Sequence, residues 1–248
     1  MYIYLILLFI VFVAFNTAKQ KIYFRPETNC DFYPVDIPDV FIHHDIHAWH
    51  SQSTKSNKTI LYCHGNAGNI GSRTDILKQW NDQGFSVLMF DYPGYGMSKG
   101  SPTEQSFYES GEKCMDYLLT QTNKNNIILY GESIGCSVAS HLASKYGSSC
   151  VVLQSGFSSI KDVAKHYMPV FLDWLLPFFH EFNTYDNLKK YKGHLMIMHS
   201  KEDEIIPYSN AEKLSHHTTN LYEITGSHNR PQFDIKRVSQ FMIQSADA

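Results

Sequence analysis

The chain has 248 residues, 43% of them hydrophobic and 18% charged, with a formal net charge of −3. That length supports one large domain with a real core, and the apolar content excludes a disordered chain. With no basic tract, the electrostatic footprint of a nucleic-acid binder is missing.

Residues 1–18, "MYIYLILLFIVFVAFNTA", hold no charged side chain, and Lys19, Lys21 and Arg25 follow them. As a helix this run would span about 27 Å, close to a hydrocarbon core of about 30 Å. A signal peptide opens with basic residues, absent here, and cleavage after Ala18 would leave Asn16 where a small residue is wanted. The run therefore reads as an uncleaved single-pass membrane anchor. Cations on its C-terminal flank place the main domain in the cytoplasm. The five cysteines, Cys30, Cys63, Cys114, Cys136 and Cys150, agree: odd in number and irregular in spacing, they read as reduced thiols. One glycosylation triplet at Asn57 points the other way. Residues 19–37 read as a connecting segment and 38–248 as the main domain.

In "VFIHHDIHAWHS", His43, His44, His47 and His50 alternate with apolar residues and read as the outer face of a strand. No CxxC or HExxH spacing occurs, so no metal is expected. "KTILYC" (58–63) reads as a strand, followed by the glycine-rich loop "HGNAGNIG" and a helix over 72–82. "FSVLMF" (85–90) is the next strand and leads into "DYPGYGMSKG". Ser101 as cap, Pro102 in the first turn and Glu104 three residues after the cap start a helix that runs to Leu119. "NIILYG", "CVVLQ", "HLMIMHS" and "NLYEI" follow as strands separated by helical segments. Strands this apolar are buried on both faces, which predicts an α/β fold with a mostly parallel sheet wrapped by helices. Residues 156–193 break the rhythm. Their "YMPVFLDWLLPFFHEF" (167–182) reads either as a cap or as extra core on the sheet. In a cap, Phe171, Trp174, Leu175, Phe178 and Phe179 would line an acyl cleft or touch a membrane.

The chemistry centres on "GESIG". Ser133 falls where "NIILYG" turns into a small-residue helix, and Gly131 and Gly135 remove Cβ atoms that would collide in so sharp a turn. A serine hydroxyl needs a base, and the base needs an orienting acid. Asp203, just past "HLMIMHS", is the expected acid; its neighbours Glu202 and Glu204 are the alternatives, with a solvated charge cluster as the plainer reading of those two. His228, in the loop "TGSHNRPQ" after "NLYEI", is the expected base. The expected oxyanion donors are the backbone N–H groups of Ile134 and Asn66, with Ala67 in reserve for the second. His64 reads as a residue that ties down the donor loop.

"HGNAGN", "DYPGYGMSKG", "GESIG", "HSKEDEIIP" and "GSHN" together resemble the α/β-hydrolase superfamily over residues 38–245. Within it they resemble the bud-emergence-type branch, which includes membrane-anchored "alpha/beta hydrolase domain" serine hydrolases and protein depalmitoylases. The resemblance implies the α/β-hydrolase fold, a catalytic set of Ser133, Asp203 and His228, and an N-terminal membrane segment. Pro93 and Ser200 depart from it, standing where relatives usually carry arginine and glycine. The expectation is a membrane-anchored serine hydrolase that cleaves carboxylic esters or thioesters, with lipid-like or S-acylated substrates and no cofactor. A peptidase-like amide hydrolase and a non-catalytic binding protein on the same fold are the alternatives.

Overall fold

A computed structural model describes residues 23–29, 37–178 and 181–246. Eight strands form one sheet: β1 (Asp39–Ile42), β2 (Ile46–Ser51), β3 (Thr59–Cys63), β4 (Ser86–Phe90), β5 (Ile127–Glu132), β6 (Cys150–Gln154), β7 (His194–Ser200) and β8 (Asn220–Ile224). Their spatial order is β8-β7-β6-β5-β3-β4-β2-β1. Only β2 runs against the rest, pairing antiparallel with β1 and with β4. The mostly parallel sheet expected from the apolar strands is therefore present.

Alternate residues of each central strand feed two separate cores, because side chains on a strand point to opposite faces. Leu61, Leu88, Leu129, Val151 and Ile197 lie in one, with α2 (Glu104–Leu119) and α3 (Gly135–Tyr146) packed over them. Ile60, Met89, Tyr130, Val152 and Met198 lie in the other, under α1 (Thr74–Asp82) and α6 (Ile235–Ala246). Cys63, Cys114, Cys136 and Cys150 are buried free thiols, and Cys30 lies outside the described residues.

Two local expectations need correction. The cap of α2 is Thr103, not Ser101: its hydroxyl accepts from the Ser106 amide at 3.0 Å and the Ser106 hydroxyl accepts from the Thr103 amide at 2.9 Å. This reciprocal box frees Glu104, whose carboxylate accepts from the amides of Glu181 and Phe182 at 2.9 and 2.6 Å. The histidines also do not share an outer strand face. His43 and His44, at φ +51° and +65°, are in the turn between β1 and β2, while His47 is fully buried. His47 is tolerated inside because its two ring nitrogens meet Asp39 at 2.7 Å and Asp91 at 3.3 Å. Burial alone would lower its pKa, but these carboxylates raise it above the ordinary histidine value.

The insertion between β6 and β7 contains α4 (Ile160–Tyr167), a 3-10 segment over Val170–Phe178 and α5 (Thr184–Leu188). Its returning end is fixed. Phe182 is buried against Phe107 and Phe24, with ring centroids 5.8 and 6.1 Å apart, and its carbonyl accepts from the Ser137 hydroxyl at 2.7 Å. Its outer part is not extra core: Phe171 and Trp174 are 77% and 66% exposed. Leu175 is half-buried, Phe179 lies outside the described residues, and only the backbone of Phe178 is described. The anchor expected over residues 1–18 also lies outside the described residues. Among those described, no helix is long and apolar enough to cross a membrane.

Candidate active site

Ser133 stands between β5 and α3 with φ +53°. A serine in this left-handed region is strained by about 1–3 kcal/mol, and the surroundings must hold it there. Its amide donates to Gln154 O at 2.9 Å and its carbonyl accepts from the Cys136 amide at 3.0 Å. The turn also demands glycine on both sides. A Cβ on Gly131 would lie 2.6 Å from the Cα of Cys136, and one on Gly135 would collide with the carbonyl of Cys63 at the end of β3.

Ser133 Oγ lies 3.1 Å from His228 Nε2, and His228 Nδ1 lies 2.7 Å from Asp203 Oδ2. The three residues come from the ends of β5, β7 and β8, distant in sequence but adjacent at the carboxyl edge of the sheet, where loops converge. In this order the imidazole can accept the serine proton while the carboxylate fixes its tautomer. Asp203 is itself held. Its Oδ1 accepts from the amides of Ile206 and Ile205 at 2.7 and 2.9 Å. Burial would raise its pKa, but the His228 hydrogen bond and these amides hold the carboxyl below its ordinary value.

Glu202 and Glu204 do more than form a solvated charge cluster. Exposed though they are, Glu202 accepts from the Gly226 amide at 3.0 Å and Glu204 from the His228 amide at 3.1 Å. They bind the acid loop to the histidine loop through backbone groups, which sequence spacing alone does not reveal. His199 packs under the acid, with Nε2 2.9 Å from Ile206 O and 3.4 Å from Asp203 Oδ2. Burial pushes its pKa below the ordinary histidine value.

The loop after β3 carries Asn66, and Ile134, directly after Ser133, is the N-cap of α3. A Cβ on Gly135 would strike the carbonyls of Cys63 and His64, so this loop starts against the serine turn. His64 is fully buried, with Nδ1 2.7 Å from Gly65 O, and the Tyr92 hydroxyl donates to its carbonyl at 2.9 Å. Burial, helped by the Arg73 charge, pulls its pKa down to about 4, which leaves it neutral at pH 7. The expectation that His64 ties down this loop agrees with these bonds.

Sequence reading passed over the charged brace beneath the loop. Glu132, directly before Ser133, meets Arg73 through Nε–Oε2 at 2.9 Å and Nη2–Oε1 at 3.1 Å, and the Tyr62 hydroxyl donates to it at 2.9 Å. Arg73 Nη1 also donates to Ala67 O and Asn69 O at 3.0 and 3.2 Å. One guanidinium thus joins the serine turn to the donor loop. Burial would raise the Glu132 carboxyl, but the Arg73 charge and hydrogen bonds bring its pKa down to about 2. A glutamate at the end of an otherwise apolar strand is the sequence signal that a partner is needed.

A family model described as "alpha/beta hydrolase fold" matches residues 58–189. The lysophosphatidylserine lipase ABHD12 of Xenopus tropicalis is 30% identical, over 68% of this chain and 49% of its own length. Protein bem46 of Schizosaccharomyces pombe is 33% identical, over 63% of this chain and 55% of its own. The chain spans about half the length of these curated relatives. Among solved structures, the Pyrococcus furiosus esterase Pf2001 superposes with a TM-score of 0.71 at 19% identity, covering 90% of this chain and 98% of that one. That last likeness is one of fold. By family match, relatives and sheet order together, the chain belongs to the alpha/beta hydrolase family, in the branch that holds the ABHD12 lipases and bem46.

Proposed function

We propose that this alpha/beta hydrolase is a membrane-anchored serine hydrolase that cleaves carboxylic esters or thioesters of lipid-like compounds. The observation that carries the reading is the continuous chain Ser133 Oγ, His228, Asp203, with separations of 3.1 and 2.7 Å. His228 Nε2 takes the Ser133 proton as Oγ attacks the substrate carbonyl, and the carbonyl oxygen becomes an oxyanion facing the amides of Ile134 and Asn66. The oxyanion collapses, the alkoxide or thiolate leaves with the proton from His228, and an acyl-Ser133 ester remains. Water then attacks that ester, its proton going to His228, and the tetrahedral adduct expels Ser133, which recovers the proton as the free acid departs. Asp203 holds the imidazole and offsets its positive charge in both steps.

Two features support a lipid-like substrate. Tyr167, Val170, Phe171 and Trp174 are exposed on the insertion, and large solvent-facing apolar groups of this kind mark surfaces that meet other apolar matter. The Tyr167 hydroxyl donates to the carbonyls of Glu204 and Ile205 at 3.1 and 3.0 Å, which ties this segment to the acid loop. Relatives named as lysophosphatidylserine lipases point to the same chemistry. The uncharged run 1–18 supplies the anchor in this reading, with the catalytic domain on the cytoplasmic side.

Labelling with a fluorophosphonate probe tests the reading, comparing the full chain with Ser133→Ala. Labelling that is lost in the variant, followed by turnover that rises with acyl length, is the expected result. An unlabelled, folded wild-type protein would sink the reading in favour of a binding protein. Faster turnover of aminoacyl amides than of esters would replace it with an amide hydrolase.

A further inference from the structure

We propose that residues 23–29 are a strap that positions the oxyanion-donor loop and so form a working part of the active site. The inference rests on the reading of Ser133 as nucleophile and the Asn66 N–H as donor. Arg25 and Pro26 run parallel to Ala67 and Gly68 as a two-stranded pair separate from the main sheet. The side chain of Asn66 is committed to this contact. Its Nδ2 donates to Tyr23 O at 2.6 Å, and its Oδ1 accepts from the Arg25 amide at 3.3 Å and the Tyr95 hydroxyl at 2.8 Å. At the other end of the loop, Asn69 Nδ2 donates to Glu27 O and Asn29 O at 3.0 and 2.7 Å. The Gly96 amide closes the set on Glu27 O at 2.9 Å.

Both asparagines of "HGNAGN" are thus occupied by the strap. The strap in turn is fixed by Phe24, which is buried with its ring 5.1 Å from that of Phe107 and 6.1 Å from that of Phe182. The donor loop needs an outside restraint because it contains Gly65 and Gly68, the latter at φ +74°, and glycines leave the peptide planes free to turn. Donor N–H groups stabilise an oxyanion only when held at hydrogen-bond distance from where it forms, and a displacement of about 1 Å can lower the rate about 100-fold. Arg73 ties the loop to Glu132 through the carbonyls of Ala67 and Asn69, and the strap holds it through the side chains of Asn66 and Asn69.

The strap also shortens the path to the N-terminal apolar run. Tyr23 stands five residues past Ala18, so no more than about 18 Å of extended chain separates that run from the start of the strap. A connecting segment that only tethered the domain would tolerate substitution without effect on the chemical step.

The test uses the full chain in detergent micelles with a soluble aryl ester, comparing wild type, Asn66→Ala, Phe24→Ala and Phe24→Leu. Alanine at position 66 keeps the backbone N–H and removes the side-chain bonds to the strap, together with the one from the Tyr95 hydroxyl. Asn66→Ala and Phe24→Ala should each lower kcat about tenfold or more, with KM changed less than about twofold. They should weaken a trifluoromethyl ketone by a similar factor, because its tetrahedral adduct uses the same donors, and Phe24→Leu should restore most of the loss. Should Phe24→Ala fail to fold, Asn66→Ala decides. A kcat for Asn66→Ala within about twofold of wild type, or a loss confined to KM, overturns the proposal. An inactive, unlabelled wild type would overturn the proposed function itself, and that failure shows before any variant is made.

Discussion

Arg73 grips Glu132 with two nitrogens, Nε on Oε2 at 2.9 Å and Nη2 on Oε1 at 3.1 Å, and uses its third to hold the carbonyls of Ala67 and Asn69. The residue before the candidate nucleophile and the loop that carries the candidate donor are therefore parts of one charged unit. Arg73→Met should lower stability by about 1.5–3 kcal/mol, the range for hydrogen bonds to a charged group, because the Glu132 carboxylate loses its cation. Arg73→Lys should recover only part of this, since one ammonium cannot serve both carboxylate oxygens and two carbonyls at once. Urea midpoints of Arg73→Met, Glu132→Gln and the double variant give the coupling, and additive losses would show that the pair is not a unit.

Acidification should destabilise the fold through its buried histidines. His64 titrates near 4 in the folded chain against about 6.5 when unfolded, so between these values the unfolded chain binds more protons. Stability therefore falls as pH drops from about 6.5 towards 4 and is fully present above 6.5. His50 and His199, both lowered by burial, act in the same direction, while His47, raised by Asp91 and Asp39, opposes them. Melting temperatures from pH 7 to pH 4.5 measure the slope. It should be shallower in His64→Asn, and an unchanged slope there would remove His64 from the account.

Asp203→Asn should leave the fold near wild type and lower kcat roughly ten-thousandfold, because a neutral amide favours the wrong imidazole tautomer and offers no charge to the imidazolium. KM should change little. Single-turnover acylation measured beside steady-state rates separates this from a binding defect, which would leave kcat intact.

Two aromatic substitutions should act in opposite ways. Phe107 is fully buried and stacks on Tyr92 with ring centroids 3.8 Å apart, so Phe107→Ala should lower stability by about 3–5 kcal/mol. Trp174 is 66% exposed, so Trp174→Ser should stay within about 0.5 kcal/mol of wild type. Its effect should fall on long-chain esters presented in vesicles rather than on short soluble ones. Denaturant titration and a chain-length series check the two halves of this prediction.

Much of this architecture was legible in the chain because each strand announces itself locally. "CVVLQ", "HLMIMHS" and "NLYEI" are strands with the bounds read from sequence, since an apolar β-branched run between turn residues has few other stable conformations. The start of α2 is ambiguous in sequence because Ser101 and Thr103 are both competent acceptors, and the extended backbone at Thr103 is what puts its hydroxyl beneath the first free amides. The histidines near β2 depart from their alternation pattern for a similar reason. Alternation says which side chains share a face, but not that Asp91, 44 residues away, waits on the inner side of His47.

By itself the sequence determined most strands and the serine turn, through periodicity and through Gly131 and Gly135, which no other residue can replace, while the grouping of Ser133 with Asp203 and His228 is what its resemblance to the α/β-hydrolases implies. Only the tertiary structure decided what holds them. Glu132 with Arg73, Glu204 with the His228 amide, and Asn66 with Tyr23 join residues 24 to 59 positions apart. Such contacts are set by how loops meet at the carboxyl edge of the sheet, and a polar side chain in a loop reveals its partner only when the chain has folded around it.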